Sequence, residues 1–174
     1  SSKRLIKNKL EETDNISFKF IQKIGKKTEQ GECIISYSKK ILCKYDDIYK
    51  KILVSNGRSL VINSKKIKNY LRYQLKDTPL DLILDKKFLL DKLDQVETIE
   101  ENDETFSFKI LHNNNLLNIF FDKISYKIIG WTTTDIYLNK VETKLSNVET
   151  NIMIDEKIFS CLLYTSDAAD EVVR

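Results

Sequence analysis

Between Gly31 and Ile62 the chain reads GECIISYSKKILCKYDDIYKKILVSNGRSLVI, a run of short apolar stretches parted by brief polar ones. Apolar residues fall at both odd and even positions: Cys33 and Ile35 alternate with Ile34, and Ile41 and Cys43 with Leu42. Successive side chains of a strand point to opposite faces. A sheet built from these stretches is therefore apolar on both faces, and both must be covered. No other feature constrains the fold as strongly, because the chain offers few helices to do the covering.

The rest of the chain continues the pattern. Ser2 to Thr13 has a helical stripe of Leu5, Ile6 and Leu10, and ISFKFIQKIG then alternates with Ile16, Phe18 and Phe20 on one side. Gly25 and the polar run Lys26 to Gln30 read as a turn. Strands are expected over Glu32–Tyr37, Ile41–Tyr45, Lys51–Ser55, Ser59–Asn63 and Ile67–Tyr73. Asn56-Gly57, between two apolar runs, is a hairpin signal. The single proline interrupts the series: Thr78 can cap and Pro79 can open a helix of two to three turns, with Leu80, Ile83, Leu84 and Phe88 on one face. Strands resume over Thr105–Leu111, Leu116–Phe121, Ser125–Thr133 and Ile136–Asn147. The sum is about nine or ten antiparallel strands in a meander, with two or three short helices. A sheet of this size curls so that one face closes on itself, and the helices plug the hollow.

The 174 residues suffice for one core, and 41% hydrophobic with 32% charged residues excludes a disordered chain. No run of 18 apolar residues exists to span a bilayer as a helix. The net charge is +3, but only four of the 29 basic residues are arginine and the lysines are spread evenly. That argues against a nucleic-acid reader, which leans on arginine for bidentate contacts. With one His, four scattered Gly and carboxylates such as Asp46-Asp47 and Glu100-Glu101 in expected turns, neither a metal site, a phosphate loop nor a nucleophile–base pair can be assembled. An enzyme is not expected, nor any cofactor. His112 reads as an exposed loop residue and Trp131 as a core aromatic rather than a ligand contact.

Cys33 and Cys43 lie across from each other on one face if a hairpin folds about Ser38. A disulfide is open to them; two buried thiols acting as small hydrophobes is the favoured reading. From Cys161 the composition changes abruptly: CLLYTSDAADEVVR holds no Lys, Ile or Asn and has both alanines of the chain. Residues 161–174 are expected to be a non-native read-through tail. Residues 1–160 are expected to form one domain lacking its true C-terminus.

Six stretches stand in order along the chain: FKFIQK (Phe18–Lys23), GECIISYSKKILCKY (Gly31–Tyr45), ILVSNGRSLVI (Ile52–Ile62), TPLDLIL (Thr78–Leu84), GWTTTD (Gly130–Asp135) and a final IFS (Ile158–Ser160). In that order and spacing they resemble the LolA family of periplasmic outer-membrane lipoprotein carriers. The resemblance implies an α+β, mainly β fold: an open, incomplete β-barrel with short helices as a lid over an apolar cavity. It implies a carrier that holds lipoprotein acyl chains in the periplasm. Cargo would come from an inner-membrane lipoprotein-releasing ABC transporter and pass to an outer-membrane acceptor where one is present. A monomer is expected. Alternation puts Cys33, Ile35 and Tyr37 on one face and Ile41, Cys43 and Tyr45 on one face. The resemblance sets both groups on the concave side with Leu53, and Leu80, Ile83 and Leu84 on the lid. Many members carry Arg-Pro in the first hairpin, where the Arg locks the lid. Here those positions are Tyr37 and Ser38, so loss of that lock is expected, with one hydrogen bond available from the Tyr37 hydroxyl. Cys43 stands where relatives place a large aromatic, which widens the pocket locally. The other readings are an envelope sensor or outer-membrane acceptor domain of the same fold, or a structural module with a filled core that binds no lipid.

Overall fold

The computed structural model describes residues 1–64, 66, 68–134 and 138–160. Helix α1 (Ser2–Glu12) is followed by strands β1 (Asn15–Ile24), β2 (Lys27–Ser36), β3 (Lys40–Tyr45), β4 (Ile52–Asn56), β5 (Ser59–Ser64) and β6 (Asn69–Gln74). A 3-10 turn at Leu75–Asp77 leads to helices α2 (Leu80–Ile83) and α3 (Lys86–Gln95). Strands β7 (Glu100–Glu101), β8 (Thr105–His112), β9 (Asn115–Asp122), β10 (Ile128–Thr134) and β11 (Lys140–Thr150) complete the sheet.

The eleven strands form one antiparallel sheet in the order β6-β5-β4-β3-β2-β1-β11-β10-β9-β8-β7. Strands β1 and β11, far apart in sequence, pair at its centre, while β6 and β7 form its two ends and the sheet does not close. The register sorts the two faces. Phe18, Cys33, Cys43, Leu53, Ile62 and Leu71 are successive neighbours in one row, and Ser17, Ile34, Leu42, Val54, Val61 and Arg72 make the adjacent row on the other face. The first row contributes to a large core shared with α1, α2, α3 and inward residues of β8 to β10, such as Phe108, Ile119 and Phe121. Strands from both halves thus meet the same helices, which is the geometry of a sheet curled round a plug.

The plug is set by local chemistry. Ser1 caps α1, its side chain accepting from the Arg4 amide, and Ile6 and Leu10 go fully into the core. Lys86 donates to the carbonyls of Glu11 and Thr13, both at 2.7 Å, satisfying the far end of α1. Gly31 marks a close approach within the sheet, where a Cβ would lie 2.2 Å from the Lys44 carbonyl oxygen. Gly31→Ala should lower stability by about 1–3 kcal/mol by forcing β2 and β3 apart, read as a shift in denaturation midpoint.

The structure corrects several sequence expectations. The helix expected to run on from Pro79 is broken at Leu84–Asp85, because the Asp85 side chain accepts from the Phe88 amide and starts α3 afresh. Thr78 does not cap it; its hydroxyl donates back to the Leu75 carbonyl. The turn expected over Lys26 to Gln30 shrinks to Gly25-Lys26, since Thr28, Glu29 and Gln30 pair with Lys23, Gln22 and Ile21. Glu100-Glu101 is a short edge strand rather than a turn. Ser125 lies in a turn tied to the Asp122 carboxylate, and β10 begins at Ile128. The starts expected at Ile67 and Ile136 and the tail 161–174 lie outside the described residues.

Candidate functional site

A cavity of about 210 Å³ lies between the inner face of the sheet and α2. Cys33, Ile41, Cys43, Tyr45 and Leu53 line it from β2, β3 and β4, and Leu80 and Ile83 from α2. These are seven of the ten residues expected there. Ile35 and Leu84 are buried in the same core without lining the cavity. Tyr37 sits farther along the face, against the same core, where it lines a small cleft with Leu10, Ile16, Phe121 and Tyr126.

The sequence reading missed the wall from β1, β10 and β11: Phe18, Phe20, Gln22, Trp131, Thr133, Val141 and Thr143. Phe18 and Phe20 were legible by alternation. The others come from strands that meet β1 only through the long-range β1–β11 pairing. Trp131 is both core and wall. It is 7% exposed and stands edge-on to Phe18 at 6.2 Å, with one surface on the cavity. His112 closes β8, half-buried against the Phe88 ring at 5.2 Å.

The polar groups of the wall are satisfied or neutral. Gln22 Nε2 donates to Thr143 Oγ1 at 3.0 Å. Burial pushes the Tyr45 phenol well above its usual range, and the charges of Glu29 and Asp47 add to the shift. Burial does the same to Tyr37. Neither phenol offers a charge, so the wall presents aliphatic, aromatic and sulfur surface. Among the described residues, no group of three His, Cys, Asp or Glu side chains is placed to hold a metal ion.

Where the sequence pattern favours buried thiols, the structure joins Cys33 and Cys43 in a disulfide. The pair faces inward across β2 and β3 in direct register, which brings the sulfurs together on the cavity wall. Reducing it, or replacing both residues with serine, should cost about 2–3 kcal/mol for a loop of this length. The melting temperature should fall by roughly 5–10 °C, measured by thermal unfolding with and without reductant.

Among the described residues, the polar contacts that tie α2 to the sheet gather on Lys39. Lys39, in the β2–β3 hairpin, adopts a left-handed backbone with φ of 76°. Its amide donates to the Leu84 carbonyl at 2.9 Å. Its ammonium donates to Asp81 and stands 3.3 Å from Asp85. Its own carbonyl accepts from the hydroxyl of buried Ser55 at 2.9 Å. Burial alone would lower the Lys39 pKa, but hydrogen bonds and charges from Asp81 and Asp85 outweigh it and leave the pKa raised. The ammonium therefore stays charged through the neutral range, and its stabilising contribution fades only as pH rises through that raised value. These contacts to α2 and the start of α3 come two residues after Tyr37, the position at which the loss of a lock is expected. Lys39→Met should weaken them by about 1–2 kcal/mol. Amide exchange across residues 80–89 should then quicken roughly 5–30-fold.

A family profile described as "Outer membrane lipoprotein carrier protein LolA" matches residues 11–161. The chain belongs to the LolA family. No curated protein sequence matches it. Among solved structures, a putative outer membrane lipoprotein-sorting protein domain from Vibrio parahaemolyticus is similar at 8% identity, with a TM-score of 0.52 over 92% of this chain and 97% of that one. MucB in the Pseudomonas aeruginosa MucA/MucB complex is similar at 12% identity, with a TM-score of 0.51 over 91% of this chain and 60% of that one. At such identities these likenesses establish the LolA-like fold. They agree with an open sheet around short helices, and the family match covers every strand from β1 to β11.

Proposed function

We propose that this chain is a periplasmic chaperone that shields the acyl chains of lipoproteins and carries them from the inner to the outer membrane. Its unit is residues 1–160. It acts as a monomer, without cofactor or catalysis. It receives cargo from an inner-membrane lipoprotein-releasing ABC transporter and yields it to an outer-membrane acceptor where one is present. The observation that supports this reading is an apolar cavity roofed by a four-residue helix whose polar attachment to the sheet converges on Lys39.

The volume dictates how such a carrier works. Ligand pockets generally run ~300–1,000 Å³, so a cavity of about 210 Å³ is the closed form. To admit a chain, α2 must swing away and expose Leu80, Ile83 and Leu84, at a gross cost of ~5–9 kcal/mol. A chain of ~14 methylenes entering in their place regains ~11 kcal/mol. The difference, ~2–6 kcal/mol, holds cargo against water yet lets it pass to a tighter acceptor without nucleotide hydrolysis at that step. Cys33, Ile41, Cys43, Tyr45, Leu53, Leu80 and Ile83 would touch the chain. Ile35, Tyr37 and Leu84 would form the layer uncovered as the lid opens.

The test is titration of an environment-sensitive fatty-acid probe. Saturable binding near one site per chain, competed by a lipidated peptide, is expected. Linear, non-saturating uptake would mean a filled structural module and end the carrier reading.

A further inference from the structure

We infer that the rim of the sheet bearing the β1–β2, β3–β4, β5–β6 and β10–β11 turns docks on an anionic phospholipid bilayer, with the cavity mouth facing it. Antiparallel pairing sends these alternate turns to the same rim. Among the described residues, exposed lysines on or beside them include Lys26, Lys27, Lys50, Lys66 and Lys68. Among the described residues, the carboxylates nearest these turns have partners. Glu29 pairs with Lys51 and Lys27, and Glu142 with Lys140. Asp47 accepts from the Lys51 amide at 3.1 Å, and Asp46 lies 3.4 Å from Gln30 Nε2. Large apolar side chains project from the same turns: Ile48 is 69%, Tyr49 48% and Leu138 84% exposed. Lysines interleaved with exposed apolar groups suit a surface that is anionic at the headgroups and apolar just beneath.

The placement of the cavity gives the rim its direction. Gln22, Thr133 and Val141 line the cavity at its rim side, and Val141 is the register partner of both Ile24 and Thr133. The opposite part of the inner face is filled by α1 and α3 through Ile6, Leu10, Leu89 and Leu93. A bilayer against the lysine rim therefore lies at the end of the cavity that α1 and α3 leave unfilled. Membrane contact stands on charge and exposure alone. Its use, passage of an acyl chain between bilayer and cavity, rests on the carrier reading.

The experiment is co-sedimentation of the full chain with vesicles of phosphatidylcholine alone or with phosphatidylglycerol, at low and at physiological salt. Wild type should pellet with the anionic vesicles only, less so as salt rises. Lys26→Glu/Lys27→Glu should weaken the partition at least 25-fold, at about fivefold per lysine. Lys19→Glu/Lys44→Glu, the same charge change on the outer face of the sheet, should weaken it less than threefold. Ile48→Ser/Tyr49→Ser should weaken it further at high salt, where the apolar part dominates. Failure of wild type to pellet overturns the proposal, as does equal loss in both double-charge variants. So does binding to an acidic polypeptide without binding to vesicles, which would make the rim a protein-docking face. Fatty-acid probe binding is measured on the same samples: its retention without vesicle binding sinks only the docking, and its absence with vesicle binding sinks only the carrier.

Discussion

Phe159→Ala should destabilise the fold by about 3–5 kcal/mol, as for a fully buried aromatic truncated in a close-packed core. Phe159 is completely buried although it stands at the end of the described chain. It packs with Leu42, Val54 and Val61 on the outer face of β3, β4 and β5, and Ile154 and Ile158 lie against the same cluster. The segment reaches that face by a defined turn. Asn151 Oδ1 accepts from the Asp14 amide at 2.7 Å, and Asn15 exchanges two hydrogen bonds with the backbone of Ile152. Glu156 then accepts from the Ser36 hydroxyl at 2.6 Å and pairs with Lys40 at 3.5 Å. Phe159→Leu keeps most of the apolar volume and should cost no more than about 1.5 kcal/mol. Denaturant midpoints of the two variants separate the cases; a Phe159→Ala loss under 1 kcal/mol would mean residues 152–160 are not the outer cover.

That cover completes what the Gly31–Ile62 sequence demands. Alternation of Ile34, Leu42, Val54 and Val61 against Cys33, Cys43, Leu53 and Ile62 makes both faces apolar from the sequence alone. The inner cover was also legible, because Leu80, Ile83 and Leu84 have helical spacing beside the only proline. The outer cover was not. It comes from a segment about a hundred residues downstream, NIMIDEKIFS (residues 151–160), whose mix of polar and apolar residues has no periodic signature, and its placement depends on the asparagine turn at the β1–β11 pairing. The lid lock was hidden for a similar reason. Nothing in Ser38-Lys39-Lys40 distinguishes one lysine from its neighbour; only the left-handed backbone at Lys39 and the arrival of Asp81 and Asp85 from forty residues away select it. The disulfide lay between these extremes. Register makes Cys33 and Cys43 direct partners, but whether sulfurs in such a pair are joined is settled by side-chain geometry, which alternation does not carry. Local pattern thus fixes which side chains share a face. What covers each face, and what holds the cover down, depends on contacts between distant parts of the chain.

Val141→Trp should abolish most fatty-acid binding while leaving the fold nearly unchanged. Val141 is half-buried and lines the cavity on its rim side, between Ile24 of β1 and Thr133 of β10. An indole there projects into the cavity, whose 210 Å³ has little room to spare. A chain excluded from three or four methylenes' depth loses about 2–3 kcal/mol, which raises the probe Kd by roughly 30–150-fold. The position is only partly enclosed, so the indole can lean outward when no ligand competes, and the melting temperature should move by no more than about 3 °C. Lys144→Trp, on the outward-facing side of the same strand, supplies the control and should bind as wild type. The pair of variants also separates entry route from lid motion. If chains enter at the rim, Val141→Trp slows association whether or not Lys39→Met has loosened α2, and the double variant binds no faster than Val141→Trp alone. If they enter by the gap α2 leaves as it swings, Lys39→Met restores fast association to the double variant and the indole affects only the final affinity. Wild-type affinity in Val141→Trp would place the bound chain outside this cavity altogether.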